Sequence, residues 1–174
     1  MLVSKMAPLL IFATEAEAAP IRALRPDLDI CICGVGLVES GAAMARIITE
    51  QRPDAVLLCG FAGAYDASLA VGDVVSVVTE QTATLPAIYR KSYSATLQLP
   101  LPEVVSNSVM TVGAEPCGAQ VENMEGAAIF AICAAQNVPC GQIRAISNYT
   151  TDSREQWNIP LALKSLVDTI NRLY

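Results

Sequence analysis

Short apolar runs alternate along this chain with segments of helical periodicity, and that alternation narrows the folds open to it. Residues 9–14 read as a buried strand, 15–24 as a helix with Thr14 as N-cap, and 29–33 as a second strand. A helix over 38–51 stops before Arg52-Pro53, and strands follow at 55–59 and 74–79, the second set up by a Gly72-Asp73 turn. Residues 80–106 break the rhythm. Three prolines and weak periodicity there read as a long irregular excursion, partly mobile. Order is expected again at 109–112 and 120–121, followed by a helix over 124–136 and a strand over 141–147. A last helix over 156–173 carries Ile159, Leu163, Leu166, Val167 and Ile170 at helical spacing. Apolar strands alternating with helices imply an α/β architecture with a largely parallel sheet covered on both faces. The 174 residues suit one domain.

Composition removes several function classes. A net charge of −6 without clustered Lys or Arg argues against a nucleic-acid backbone as partner. No apolar run reaches the ~18 residues of a membrane span. The start, MLVSKMAPLLIFATEAEAAP, raises the question of a signal peptide. Its apolar run at 7–13 meets Glu15 and Glu17 at once, which fits a buried strand better. The chain has no histidine, which weighs against Cys/His zinc, Ser-His or Cys-His catalysis, and haem on a proximal His. Six cysteines without a C-x-x-C read as reduced thiols, four of them inside apolar runs as small hydrophobes. Charged residues make up only 16%. Either apolar surface is buried against a second subunit or the core is large and rich in Ala, Val and Ile.

Ligands on such sheets sit beyond the carboxyl ends of strands, which singles out 14–17, 34–36, 60–63 and 147–148. Gly34-Val35-Gly36 and Gly60-Phe61-Ala62-Gly63 could offer backbone N–H groups to an anion or a sugar, or could be tight strand-to-helix turns. Glu15 and Glu17 stand where a carboxylate could activate water, or simply offset a helix dipole. Glu122 and Asn123 suit cap and first-turn positions ahead of the apolar helix. Glu125, among small residues, needs buried partners, and the vicinal hydroxyls of a ribose would serve. Asn148 offers a donor and an acceptor that can match a purine's N7 and 6-oxo group, or it is a turn residue.

Taken together, ATEAEAAP (13–20), GVGLVESGAA (34–43), GFAGAYDASLAVGDVV (60–75), VENMEGAA (121–128) and RAISNYTTDSREQWNIPLAL (144–163) resemble the purine nucleoside phosphorylase/hydrolase superfamily, within it the futalosine hydrolases. The methylthioadenosine/adenosylhomocysteine nucleosidases are similar too, with Asp where this chain has Asn148. The resemblance implies a single three-layer domain over 1–174 with a mixed, mostly parallel central sheet flanked by helices. It implies hydrolysis of the N-glycosidic bond of a 6-oxopurine nucleoside, futalosine-like, releasing hypoxanthine. Glu17 would activate the water and Asn148 would hold the departing base. Ala62, Gly63, Asn123, Met124 and Glu125 would bind substrate, with Glu125 on the ribose hydroxyls. The implied partner is a small purine nucleoside, and no metal, organic cofactor, nucleic acid or membrane is expected. A cytoplasmic homodimer or higher homo-oligomer is expected.

Neither glycine loop contains Arg or Lys, and Glu39 and Asp66 lie close by in sequence, which favours water over phosphate as nucleophile. Arg22, Arg46 or an arginine of a second subunit remain possible phosphate ligands. Two rivals therefore stand beside the hydrolase: a phosphate-dependent purine nucleoside phosphorylase and a non-catalytic nucleoside-binding protein. The segment between the G-D-V-V strand and the E-N-M-E helix is shorter than in relatives, and no D-L-G element is recognisable in TATLPAIY.

Overall fold

Four apolar residues in a row, Leu9 to Phe12, form strand β1 (Leu9–Phe12), buried at every position as a strand covered on both faces must be. This is a computed structural model describing residues 7–174. The expected domain start at residue 1, and residues 1–6 of the signal-peptide question, lie outside the described residues. β1 pairs in parallel with β2 (Ile30–Ile32) and β3 (Val56–Ala64). Parallel pairs also join β3 to β8 (Cys140–Tyr149), β4 (Val74–Gln81) to β6 (Glu103–Ser108), and β6 to β7 (Val121–Asn123). Antiparallel pairs join β3 to β7, β4 to β5 (Ser92–Ser94), and β4 to β8. β8 thus touches both β3 and β4, so the pairings β3-β7-β6-β4-β8 close into a ring, while β2 and β5 remain as edge strands.

Alternation along β1 distributes the core. Leu9 and Ile11 pack with Met44, Ile47 and Ile48 of α2 (Leu37–Gln51) and with Ile129 and Phe130 of α3 (Gly126–Ala135). Leu10 and Phe12 pack instead with Ala18 and Ile21 of α1 (Glu15–Leu24) and with Ala162, Leu166 and Ile170 of α4 (Ile159–Leu173). The result is three layers, with helices on both faces of a mixed, mostly parallel sheet. Among the described residues no helix is long and apolar enough to cross a membrane.

Several sequence expectations need correction. The stretch 80–106 is not a continuous excursion. β4 runs to Gln81, a 3-10 turn covers Ala87–Tyr89, β5 pairs with β4, and β6 begins at Glu103. The ordered strand precedes Val109 instead of starting there. Residues 60–63 are not a turn, because β3 continues to Ala64 alongside β8. The last helix starts at Ile159. Asn158 accepts a hydrogen bond from the Leu161 amide and Pro160 occupies the first turn, while Arg154–Gln156 form a separate 3-10 turn.

Candidate functional site

Thr14 follows β1 and caps α1 through a reciprocal pair: its hydroxyl accepts from the Glu17 amide at 3.3 Å, and its own amide and hydroxyl each donate to Glu17 Oε2 at 3.0 Å. One Glu17 oxygen therefore holds the helix start and the other, Oε1, is left for chemistry. Burial pushes the Glu17 carboxyl up, against the opposing pull of the Arg144 charge and the Thr14 hydrogen bonds. Glu15, in contrast, is exposed, pairs with Arg22 at 3.3 Å and stays outside the cavity.

Gly60 explains how Glu17 meets Arg144. A Cβ on Gly60 would lie 2.7 Å from Arg144 Nη1 and 3.4 Å from Glu17 Oε1, so the bare backbone is the gap through which these side chains approach. Arg144 is 2% exposed. Its guanidinium donates to the Phe61 carbonyl at 3.1 Å, to Asn123 Oδ1 at 2.9 Å and to Glu125 Oε2 at 3.3 Å, while Nε has no protein partner. The other Glu125 oxygen accepts from the Gly36 amide at 3.2 Å. The Gly34-Val35-Gly36 loop does hold an anion, and the anion is the chain's own Glu125.

Asn148 is placed by a bulge. Between Ala62 and Gly63 the β3-β8 register slips by one residue, which sets Asn148 opposite Gly63. A Cβ on Gly63 would come within 3.1 Å of Asn148 Nδ2. The amide is fixed at both ends, Nδ2 donating to the Tyr149 carbonyl and Oδ1 accepting from Ser147 Oγ, each at 2.8 Å. One N–H and one lone pair remain.

A cavity of about 480 Å³ joins these groups. It lies within the usual range of small-molecule sites, about 300–1,000 Å³. Glu17, Ala62, Gly63, Asn123, Met124, Glu125 and Asn148, the residues that the resemblance assigns to the site, line it together. Asn123 has its hydrogen-bonding capacity consumed inside the protein, by Glu80, Ser106, Arg144 and the Glu125 and Gly126 amides. Glu122, expected as a first-turn residue, sits in β7 and accepts from Tyr65 Oη and from the Gly113 and Ala114 amides. It thereby straps the loop carrying Val109 and Val112 across the cavity. Arg22 and Arg46 are spent on Glu15 and Glu50 at the surface and do not reach it.

Two arginines that sequence reasoning overlooked do reach it. Arg144 was legible in principle: an arginine inside the apolar strand Q-I-R-A-I needs buried partners, as Glu125 does. Arg154 stacks on Trp157, its Cζ 4.0 Å from the ring centroid, and both line the mouth with Ile159 and Leu163. Among the described residues no group of three Cys, Asp or Glu side chains is arranged to hold a metal ion.

The family model of the phosphorylase superfamily matches residues 112–173, the segment that carries Glu125, Arg144 and Asn148. The futalosine hydrolase of Thermus thermophilus is 27% identical over 175 residues, spanning 80% of this chain and 78% of that protein. Solved members of the same fold superpose closely. A futalosine hydrolase mutant of Helicobacter pylori strain 26695 gives a TM-score of 0.81 at 16% identity, covering 94% of this chain and 96% of that one. The apo 5'-methylthioadenosine nucleosidase of Arabidopsis thaliana gives 0.84 at 16% identity, covering 95% and 93%.

Proposed function

We propose that this chain is a phosphorylase-superfamily enzyme that hydrolyses the N-glycosidic bond of a purine nucleoside, with a 6-oxopurine nucleoside of the futalosine type as substrate and hypoxanthine as released base. The observation that carries this reading is the convergence of Glu17, Glu125 and Asn148 on one open cavity, with Arg144 between the two carboxylates. The similarity to futalosine hydrolase over most of both chains supports the same reaction class.

As the C1'–N9 bond breaks, its electrons go to the purine and positive charge develops on the sugar. Carboxylates beside the sugar and a hydrogen-bond donor beside the base both stabilise that charge separation. Glu17 Oε1 takes a proton from water as the water oxygen bonds to C1', and its burial makes it a stronger base than an exposed carboxylate. Glu125, steadied by Gly36 and Arg144, accepts from the ribose hydroxyls. Asn148 donates its free N–H to the N7 edge. It cannot deliver a proton, which suits a base such as hypoxanthine that leaves well with its charge only hydrogen-bonded.

Water is favoured over phosphate because the deep arginine is already engaged. Arg144 is committed to Glu125, Asn123 and the Phe61 carbonyl, and a phosphate dianion would have to sit between two carboxylates. A second reading concerns the base. One donor and one acceptor on Asn148 also match the N7 and 6-amino edge of adenine. Chromatography of free base released from futalosine, inosine and methylthioadenosine, with and without phosphate, tests both points. Hypoxanthine release without phosphate is expected. Strict phosphate dependence, or cleavage of methylthioadenosine alone, overturns the corresponding part.

A further inference from the structure

Glu80 is a buried carboxylate that the proposed chemistry does not use. It sits in β4, wholly inaccessible to solvent and outside the cavity lining. A bulge puts it there: the β4-β6 register slips at Val78, which sets Glu80 opposite Ser106. Such a group is costly to bury unless its oxygens are satisfied. Here they accept from Ser108 Oγ at 2.9 Å, Asn123 Nδ2 at 2.9 Å and Gln142 Nε2 at 3.1 Å. Gly126 is required beside it, because a Cβ there would run into the Glu80 carboxyl and Gln142.

Two of those three donors are the caps of α3. Asn123 Oδ1 accepts from the Glu125 amide at 2.9 Å, the Gly126 amide at 2.7 Å and Arg144 Nη2 at 2.9 Å. Its Nδ2 donates to Ser106 Oγ at 2.8 Å as well as to Glu80, so every polar position of the amide is used. Ser108 Oγ accepts from the Ala127 amide at 2.7 Å while giving its proton to Glu80. One carboxylate therefore fixes the orientation of both caps, and through them the backbone at Glu125 and the guanidinium that grips its side chain. We infer that Glu80 is a positioning residue for the sugar-binding carboxylate, acting through Asn123 and Ser108 to aim Glu125 at the vicinal hydroxyls of the nucleoside. This rests on the reading that Glu125 binds a ribose.

The test compares inosine with 2'-deoxyinosine, by steady-state cleavage and by calorimetric binding, in the wild type and in Glu80→Leu and Glu80→Gln. If Glu80 aims Glu125, Glu80→Leu lowers kcat on inosine by about 100-fold, the size of loss that a misplaced site group produces. The preference for inosine over 2'-deoxyinosine falls by roughly 10-fold, because the hydroxyl contact is what is lost. Glu80→Gln keeps an acceptor for Asn123 but strands the Ser108 proton, and should lose about 3-fold of the preference. It decides the matter if the leucine variant does not fold. A scaffold role alone lowers both substrates equally, so a folded variant with the wild-type ratio overturns the inference while leaving the nucleosidase reading intact. A wild type that neither cleaves nor binds either nucleoside overturns the functional reading and this inference with it.

Discussion

Around β1 the interior is made of Leu9, Leu10, Ile11 and Phe12 against apolar helix faces; around the start of α3 it is made of Glu80, Ser106, Ser108, Asn123, Glu125, Gln142 and Arg144, none more than 5% exposed. Both regions are equally dry and are held in different ways. The apolar layers depend on volume, which neighbouring side chains can partly readjust. The polar layer depends on donors facing acceptors in one arrangement, where a single wrong atom strands its neighbours. A site that must aim a carboxylate within a fraction of an ångström belongs in the second kind of interior, built on a first that keeps water out.

The sharpest way to break this comparison is Arg144→Ala. It leaves Glu125 buried without its cation and removes three hydrogen bonds. A loss of about 3–5 kcal/mol in urea unfolding is expected, the usual result of breaking a buried ion pair, together with loss of nucleosidase activity. Glu17→Gln should separate the two effects. Its amide oxygen can still accept from Thr14, so α1 keeps its cap, while hydrolysis falls by about 10²–10⁴-fold for want of a base. The pH profile follows from the same residue. Burial raises the Glu17 carboxyl, and only its ionised form accepts a proton, so kcat/KM should fall as pH drops through a point above the ordinary carboxylate range. The stability sign is opposite. An upshifted carboxyl favours the fold below its unfolded value and loses that contribution as pH rises through the folded one. Glu17→Gln should therefore gain stability at neutral pH and show no gain in acid, measured as melting temperature against pH.

Leu10→Ala sharpens the contrast from the apolar side. It should cost about 2–5 kcal/mol by leaving a cavity, yet the molecules that remain folded should turn over substrate at the wild-type rate. Equal loss of activity per folded molecule would show that the two interiors are mechanically coupled.

The same contrast explains what the sequence disclosed. β1, α1, α2 and β8 are legible because hydrophobic periodicity marks them and Thr14, Gly34 and Pro53 punctuate them. β6 is E-V-V-S-N-S, and its buried half is Ser106, Asn107 and Ser108, which reads as loop to any argument based on apolar residues. β5 is the polar edge strand S-Y-S, three residues long. Glu17, Glu125 and Asn148 could be singled out because they stand at strand or helix ends. Glu80 and Arg144 lie inside strands, and their importance comes from partners 19 to 83 residues away, such as Glu125, Ser108 and Phe61. Only the closed ring of β3, β7, β6, β4 and β8 brings them together.

Gly36→Ala probes the seam between the two interiors and is expected to have the smallest effect. Gly36 has φ 85° and ψ 162°, a conformation essentially reserved for glycine, yet a Cβ there would meet nothing within 4 Å. The penalty is therefore in the backbone alone, about 1–3 kcal/mol in urea unfolding. If the chain relieves that strain by rotating the 34–36 loop, the Gly36 amide swings away from Glu125 Oε1, while Arg144 still holds the other oxygen. Glu125 would stay buried but lose one of its two guides. KM for the ribonucleoside should rise by several-fold, with kcat changed less. A variant that loses the stability but keeps KM would mean that the Arg144 contact alone suffices to aim the carboxylate, and that the glycine loop serves the fold of α2 and not the site.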